Sequence, residues 1–405
     1  MLVSNRVIEL VEAVIPGLND LNESGAALQA IFPAGTLLGE ASESDDVLVE
    51  VHAGAPATHV DAAMQSLYSN IHSTFAHLQV YGGLRDVTHT YLARRKDRLL
   101  AVFLLRRDGN TVHVINEGMT VDEAELERFA GHLFSIWRSV SAICLHAVDS
   151  QVRVMPRPLQ QYACTANIVL PLPATADDYV ASLGKNMRRN LRRYMDKLKR
   201  DHPSLQVEVA EKADASEADM RAIIDLNRVR IAGKNMRYGL DDEVEKVMAL
   251  VRQCGMVLAM RIDGRVVAGS IGYFAGSHYF FKVISHDPRY NEYSAGILCC
   301  YLTICECIAR GCKEYNFMWN EYDYKFALGA HARSLHHVVV YRSRLHFLLR
   351  PRLAMSNAAA AWRHRVSALF EKASKEESLS GGERAFVRVL EAARSAKRAL
   401  LRRGS

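Results

Sequence analysis

The chain has 405 residues, 49% of them hydrophobic and 24% charged, which is ordinary for a globular protein of two or three domains. Its 24 Gly and 10 Pro are too few for a collagenous or low-complexity chain. The longest apolar stretches, 99–105 and 295–304, fall short of the roughly 20 residues that cross a bilayer. The first 20 residues carry acids within their apolar part and precede no small-residue cleavage site, so a cytoplasmic protein is expected.

The net charge of +6 comes from two basic segments. Residues 183–200 carry eight basic side chains against one acid, and residues 381–405 carry seven against two. Without these segments the chain is mildly acidic. Such local charge favours an anionic partner, which is a phosphate-bearing cofactor, a nucleic acid or an anionic membrane surface.

The first half predicts helices, then strands joined by tight turns, then one more helix and strand. Helices are expected near 18–31 and 59–77, with a polar stretch at 39–46 between them. Turn residues separate three strand-like segments at 88–95, 98–107 and 111–116. A helix at 122–140, a strand at 142–147 and a Pro-rich linker at 155–159 follow.

The second half predicts the same order in a longer form. Helices are expected at 177–200, 215–231, 241–253 and 294–310, with a helical turn at 322–328. Strands are expected at 205–210, 256–262, 265–274, 278–286, 314–319 and 335–341. The repeated order predicts a mixed α/β fold of two like units, 1–155 and 160–345. A basic helical extension follows at 346–405, with a polar break at 374–382.

The cysteines are interpreted as core residues. Four of them lie on one apolar helical stretch, no CxxC pair occurs, and free cysteine behaves as a small hydrophobe. Neither a metal nor a disulfide is expected.

The segment 282–296 is the first candidate site. A strand ends near His286, a turn-rich loop follows, and a helix begins at Ser294, Ala295 and Gly296. Small residues at a helix start leave amide groups open to a phosphate, so Tyr293 to Gly296 are candidates for cofactor binding. An ordinary N-cap serine is the alternative.

The end of the next strand is the second candidate. Asn320, Tyr324 and Lys325 lie just past it, where sheet proteins often bind ligands. Lys325 could neutralise a leaving group and Tyr324 could pass a proton. The alternative is that Lys325 is an ordinary solvated lysine beside Asp323.

The basic segment 183–200 predicts an amphipathic helix. Its apolar residues recur at spacings of three and four, and Arg188 and Arg192 lie off that stripe. They are candidates for binding an anionic acceptor, such as a lipid-linked or nucleotide-linked sugar, or tRNA phosphates; a solvated basic face is the alternative. The absence of interleaved aromatic residues argues against stacking of single-stranded nucleic acid.

Residues 165–345 resemble the GNAT-fold acetyltransferases of the cellulose and exopolysaccharide biosynthesis type (BioF2-like), relatives of the FemAB peptidyltransferases, which have two tandem GNAT-like halves. The resemblance lies in YVASLGKNMRRNLRRYMDKLKR, FFKVISHDPRYNEYSAGILCCYLTICECIARG and NFMWNEYDYKFALGA. It implies acyl transfer from acetyl-CoA or another acyl-CoA to an amine or hydroxyl of a saccharide or envelope precursor. Lys325 matches the lysine of the family's Tyr-Lys motif, and Gly296 matches its helix-start glycine.

Two alternatives stay open. Some FemAB-like relatives use aminoacyl-tRNA as the donor, and the chain retains only Gly296 of the usual GNAT phosphate loop, which also suits a non-catalytic scaffold that binds anions or partners. For an enzyme, Asp287 with His286 is the candidate base, or else a capping pair before Pro288, and Tyr293 or Tyr324 would protonate the thiolate.

The last basic segment predicts an amphipathic helix. Phe386, Val389, Leu390 and Leu400 recur with bases between them, a pattern that fits peripheral contact with the inner membrane face. A helix that covers the preceding domain is the alternative.

Overall fold

The computed structural model describes residues 42–44, 46–56, 60–96, 98–150, 152–232 and 239–374. The helix expected at 18–31 and the amphipathic segment 386–400 lie outside these ranges. Among the described residues, no helix is long and apolar enough to cross a membrane.

The described residues form 13 strands. They are β1 Ser42–Ser44, β2 Val47–Ala53, β3 His89–Arg95, β4 Arg98–Asp108, β5 Thr111–Val114, β6 Ala142–Val148, β7 Leu159–Pro171, β8 Gln206–Glu211, β9 Gly255–Ile262, β10 Arg265–Ala275, β11 His278–His286, β12 Glu314–Asn316 and β13 His331–Tyr341. The helices are α1 Val60–Tyr68, α2 Phe75–Tyr81, α3 Glu123–Ile136, α4 Ala176–Ser182, α5 Lys185–Asp201, α6 Glu217–Ala232, α7 Val244–Cys254, α8 Ala295–Ala309, α9 Asp323–Ala327, α10 Arg344–Leu348 and α11 Pro351–Ser374.

All 13 strands belong to one mixed sheet, in the order β1-β2-β3-β4-β5-β6-β13-β7-β12-β11-β10-β9-β8. Strands β2 to β5 pair antiparallel, and β6 returns through α3 to lie parallel to β5. Strands β8 to β11 repeat this arrangement, and β12 returns through α8 parallel to β11. The predicted mixed α/β fold with a repeated unit is confirmed.

The two units exchange their last strands at the middle of the sheet. Strand β7, which follows β6, pairs with β12 and β13, and β13, which follows β12, pairs with β6. The centre of the sheet is therefore held together by both halves of the chain.

Three strands, β1, β2 and β7, were not predicted from the sequence, and the short β1 lies within the predicted polar stretch 39–46. In β2 the polar side chains of Glu50 and His52 are buried, with Oε2 of Glu50 3.6 Å from Nε2 of His52. The strand therefore lacks the exposed polar face by which a strand is predicted from its sequence. Most of β7 follows the predicted linker; its first half is only partly buried, and its partners come from distant parts of the chain. Strand pairing over long sequence separations leaves little local signal.

Three predicted elements are interrupted or shorter. The helix expected at 59–77 breaks at Ser69, whose φ is 42°, into α1, a 3₁₀ turn at Ile71–Ser73 and α2. The helix expected at 177–200 becomes α4 and α5, with Gly184 as the cap of α5. The strand expected at 314–319 ends at Asn316.

Helices cover both faces of the sheet in the C-terminal unit. On one face α5 and α8 pack on the sheet through Leu191, Leu198 and Leu298, and on the other face α6 and α7 pack through Ile223 and Val251. All eight cysteines are free thiols and five are buried, four of these on or next to α8 and one in β6.

Candidate functional site

The sheet opens where β11 and β12 separate. Their parallel pairing ends at Phe280 and Asn316, while β11 continues for six more residues to His286. Beyond Asn316 the chain turns through Met318 and Asn320, whose φ values of 59° and 67° lie in the left-handed region. A cavity lies on each side of the sheet beside this opening.

The first cavity, here called the α8 cavity, encloses about 360 Å³ next to the start of α8. It is lined by Arg230, Ile284, His286, Asn291, Ser294, Gly296, Ile297 and Tyr324. The sequence-predicted residues Ser294, Gly296 and Tyr324 therefore meet in one place. Arg230, from the last turn of α6, was not predicted and brings a positive charge to the cavity.

The N-terminus of α8 is open toward this cavity. Ser294 is left-handed (φ 49°, ψ 42°), its hydroxyl makes no capping hydrogen bond, and the first turn carries no acid. Amide groups of the first turn have no acceptor within a helix, and the helix dipole makes this end positive. The arrangement suits an anionic group such as a phosphate.

Gly296 permits a close approach of His286. A Cβ atom at position 296 would lie 2.8 Å from Nδ1 of the His286 ring, well inside contact distance. The other ring nitrogen, Nε2, lies 2.7 Å from Oδ1 of Asn291. The imidazole is thus held between the loop and the start of α8. A glycine at position 296 leaves room for this ring, and a residue with a Cβ atom would not.

Helix α5 holds the loop before α8. Lys197 forms an ion pair with Glu292, and the Tyr293 hydroxyl donates to Asp201 at 3.2 Å. A hydrogen bond with Ser294 lowers the pKa of the Tyr194 hydroxyl. Tyr293, a predicted cofactor contact and proton donor, is buried against α5 and is not among the residues that line the cavity, and Ala295 is fully buried.

Asp287 is bound to the loop itself. Its carboxylate accepts the Arg289 amide at 2.9 Å and the Arg289 guanidinium at 2.6 Å, and it caps the 3₁₀ helix Pro288–Tyr293. The hydrogen bonds from Arg289 lower the pKa of this carboxyl group. A carboxylate so stabilised is a weak base, and the geometry is that of a capping residue.

Lys325 anchors the loop between β12 and α9. Its ammonium donates to the carbonyls of Phe317 at 3.0 Å, Trp319 at 2.6 Å and Asn320 at 2.8 Å. The side chain is only 3% exposed, and burial lowers its pKa to about 8. Because its three protons already have three acceptors, Lys325 holds the loop and has none left for a leaving group.

Tyr324 is the polar residue of α9 that faces the α8 cavity. Burial raises the pKa of its hydroxyl well above the usual value, so the group is protonated at neutral pH. A protonated hydroxyl at this position can donate to a developing anion.

The second cavity, here called the α2–α7 cavity, encloses about 270 Å³ on the opposite side of the sheet, between the two units. It is lined by Ile71, His72, His77, Tyr81, Glu117, Glu243, Tyr273, Lys282, Met318 and Trp319. None of these was predicted, because the residues come from distant segments of both halves and share no local motif.

Several polar groups in the α2–α7 cavity are buried. The Tyr273 hydroxyl and Nδ1 of His77 are buried without a hydrogen-bond partner, while Lys282 donates to Glu243 at 2.9 Å. Burial lowers the pKa of His72 to about 3 and that of His77 to about 4. Both imidazoles are therefore neutral at pH 7. Buried groups with unused hydrogen-bonding capacity favour a polar ligand here.

The remaining predicted contacts lie on the surface. Arg188 and Arg192 are exposed on α5, while Leu191 and Leu198 face the core, as the predicted stripe requires. Asn320 is exposed in the loop, and its carbonyl is the group bound by Lys325.

Comparison with known proteins relates part of the chain to a known family. Residues 185–326, from α5 to α9, match the family described as an acetyltransferase (GNAT) domain. The matched segment includes α8 and the opening between β11 and β12, and it supports assignment of the protein as a transferase. No curated protein matches the sequence.

Solved structures show how far the fold extends. The chain is similar to FemX, with a TM-score of 0.53 and 8% identity over 77% of this chain and all of that one. It also matches a conserved protein of unknown function from Bacteroides thetaiotaomicron (TM-score 0.45, 12% identity, 70% of this chain and 95% of that one). A third match is the C-terminal domain of a putative lysylphosphatidylglycerol synthetase from Agrobacterium fabrum (0.44, 10%, 75% and 97%). The FemX similarity shows a shared fold across both units.

Proposed function

We propose that this protein is an acyltransferase that uses acetyl-CoA or another acyl-CoA as donor. The observation that carries the proposal is the uncapped N-terminus of α8, which faces a cavity at the point where β11 and β12 separate. The donor's pyrophosphate would lie on the first amides of α8, with Arg230 adding positive charge. The acyl group would reach the opening between the strands.

The acceptor would bind in the α2–α7 cavity on the other side of the sheet. Its amine or hydroxyl attacks the thioester carbonyl through the opening, forming the new bond to the acyl carbon. Collapse of this adduct breaks the carbon–sulfur bond and leaves the CoA thiolate. Holding the two reactants in line supplies much of the rate enhancement.

Two proton transfers complete the reaction. The acceptor loses a proton to solvent as it attacks, and neutral His77, whose Nδ1 is unpartnered, is proposed to orient the attacking group by a hydrogen bond. Tyr324 donates its proton to the departing thiolate from the α8 cavity, since its hydroxyl is protonated at neutral pH. Asp287 and Lys325 are assigned positioning roles, in the loop before α8 and the loop after β12.

For the acceptor we propose a saccharide or amino group of an envelope or exopolysaccharide precursor, modified in the cytoplasm. The polar lining of the α2–α7 cavity supports a hydrogen-bonding substrate, and the resemblance of residues 165–345 supports this substrate class. We retain the units 1–155 and 160–345 and the extension 346–405 as a proposed division. An aminoacyl-tRNA donor is the second candidate, favoured by the exposed arginines of α5.

Calorimetric titration with acetyl-CoA and with CoA tests the donor. We expect micromolar binding to the wild type and at least a hundredfold weaker binding to Gly296→Trp, which fills the α8 cavity. The matched control is Ala124→Trp, at the second position of α3 in the other unit, which should bind as the wild type does. The absence of binding at millimolar ligand would contradict the CoA proposal, and charged tRNA would be titrated next.

A further inference from the structure

Helices α10 and α11 lie on the outside of the sheet and expose an apolar row. Their inner side packs on β6, β7 and β13 through Phe347, Leu353 and Asn357. Their outer side presents five large apolar side chains that are 55–70% exposed. This apolar row consists of Leu345, Leu348, Leu349, Met355 and Trp362.

The same helices carry an excess of positive charge, and their acid, Glu371, lies in the last turn of α11. No Asp or Glu occurs between Asp323 and Glu371. The arginine set of these helices is Arg344, Arg352, Arg363 and Arg365, all exposed, whereas Nη2 of Arg350 is buried. Within the part of the chain that the structure describes, none of the set forms a salt bridge with a carboxylate.

A basic cleft adjoins this surface. It encloses about 560 Å³ between α11 and β7, and Arg153, His364 and Arg365 contribute to its lining. Its lining residues Ala361, His364 and Arg365 belong to α11 and flank Trp362 of the apolar row in the sequence, so the cleft offers cationic side chains beside this helix.

We propose that the outer face of α10 and α11 binds the surface of an anionic lipid bilayer. The apolar row inserts at the level of the headgroups, and the arginine set contacts lipid phosphates. Single exposed apolar residues are ordinary. A row of them among cations that form no salt bridge suits a bilayer surface, which offers apolar acyl chains beside anionic headgroups. A nucleic acid would use the cations and leave the aliphatic side chains in water.

This surface is distinct from the two cavities, and the inference does not depend on the proposed reaction. It is also distinct from the segment 386–400, in which the sequence predicts a membrane-binding helix. Failure of CoA binding would leave the inference untouched, and failure of lipid binding would leave the acyl-transfer proposal untouched.

Flotation of the full-length protein with lipid vesicles tests the inference. We expect flotation with vesicles of phosphatidylglycerol and phosphatidylcholine at 3:7, and none with phosphatidylcholine alone. In the variant Arg344→Gln, Arg352→Gln, Arg363→Gln, binding should fall by about a hundredfold, since each cation near such a surface contributes about fivefold. In the variant Leu348→Ser, Leu349→Ser, Trp362→Ser, it should fall by at least as much.

Matched control variants separate this face from general surface properties. Val207→Ser with Val229→Ser removes exposed apolar residues elsewhere, and Arg188→Gln, Arg189→Gln, Arg192→Gln removes the same charge from α5. Both controls should float as the wild type does. Equal losses in the α10–α11 variants and in these controls would overturn the proposal.

A fluorescence readout reports insertion directly. In a Trp319→Phe background, lipids brominated near the headgroup should quench Trp362, while Trp137 is buried. No flotation, or flotation without quenching of Trp362, would overturn the proposal. Binding of a short RNA that the arginine variant abolishes, with no vesicle binding, would assign the surface to nucleic acid instead.

Discussion

The two units share an element order but differ where the parallel strands meet the helix. In the N-terminal unit, Asp122 caps α3 by accepting the amide of Glu125 at 2.7 Å, and Glu123 and Glu125 lie in the first turn. In the C-terminal unit, Ser294 makes no such bond and no acid follows it. Of these two helix starts, that of α8 is the one with neither a capping side chain nor an acid in its first turn, so it can take an anion from outside the protein.

The parallel strand pairs of the two units differ in the same way as their helix starts. Strand β5 pairs with β6 along its whole length, and main-chain bonds continue beyond it, from Gly118 to Ala147 and from Asp149 to Met119. Strand β11 leaves β12 after Phe280, and the loop after β12 is held by Lys325. The N-terminal unit is closed at this point by main-chain hydrogen bonds and acidic side chains, whereas the C-terminal unit is open. The same order of strands and helices therefore does not create a site by itself.

Loss of the Lys325 anchor should have the largest effect. Lys325→Met leaves three loop carbonyls without their donor, so we expect destabilisation of about 3 kcal/mol together with loss of transferase activity. Urea unfolding and a thiol-release assay measure the two. Lys313→Met, at an exposed lysine near β12, is the control. Lost activity at unchanged stability would instead assign Lys325 a chemical role.

Removal of the Tyr324 hydroxyl tests the proposed proton donor of the C-terminal unit. Tyr324→Phe keeps the ring and removes the acid, so kcat should fall by about a hundredfold while donor affinity is kept. Tyr322→Phe, at the neighbouring exposed tyrosine, should retain activity. Because burial raises the pKa of Tyr324, the wild-type rate should show no tyrosine ionisation up to pH 10. A fall in rate between pH 8 and 10 that Tyr324→Phe abolishes would contradict this assignment.

Acid should weaken the junction between the units. The pKa of His77 is about 4 in the folded protein and about 6.5 in the unfolded chain, so the unfolded chain binds the extra proton between these values. Stability is complete above pH 6.5 and falls as the pH drops toward 4. At pH 5 the contribution of His77 should be lower by about 2 kcal/mol. Urea unfolding at pH 7.5 and 5.0 should show a smaller difference for His77→Leu, and the wild-type difference for the exposed-site variant His331→Gln.

Exchanging the cap residues of α3 and α8 should give the smallest effect, and it compares the two units directly. Ser294→Asp places a carboxylate where the closed unit has one, so donor affinity should fall by about tenfold while stability rises by about 0.5 kcal/mol. Asp122→Ser keeps a capping side chain and removes only its charge, so it should lower stability by about 0.5 kcal/mol without creating CoA binding. Calorimetry and urea unfolding measure both; unchanged donor affinity in Ser294→Asp would place the phosphates away from α8.

The sequence by itself predicted most of the element order, the repeat and three residues that the structure brings together at the α8 cavity, Ser294, Gly296 and Tyr324. Periodicity over 278–310 and the small residues Ser294 to Gly296 predicted the strand, the helix and its open start, because each of these signals comes from neighbouring residues in the sequence. The stripe of α5 was equally local. Neither predicted role of Lys325 anticipated its three carbonyl contacts, because residue type and spacing do not reveal which backbone groups surround a side chain.

Only the tertiary structure decided the rest. It brought Tyr273, His77 and Lys282 together from both units, turned Tyr293 toward α5, and bound Asp287 to Arg289. It also exchanged β7 and β13 across the middle of the sheet. These features depend on contacts between residues far apart in the chain, whose geometry is fixed by packing and strand pairing and leaves no pattern in the local sequence.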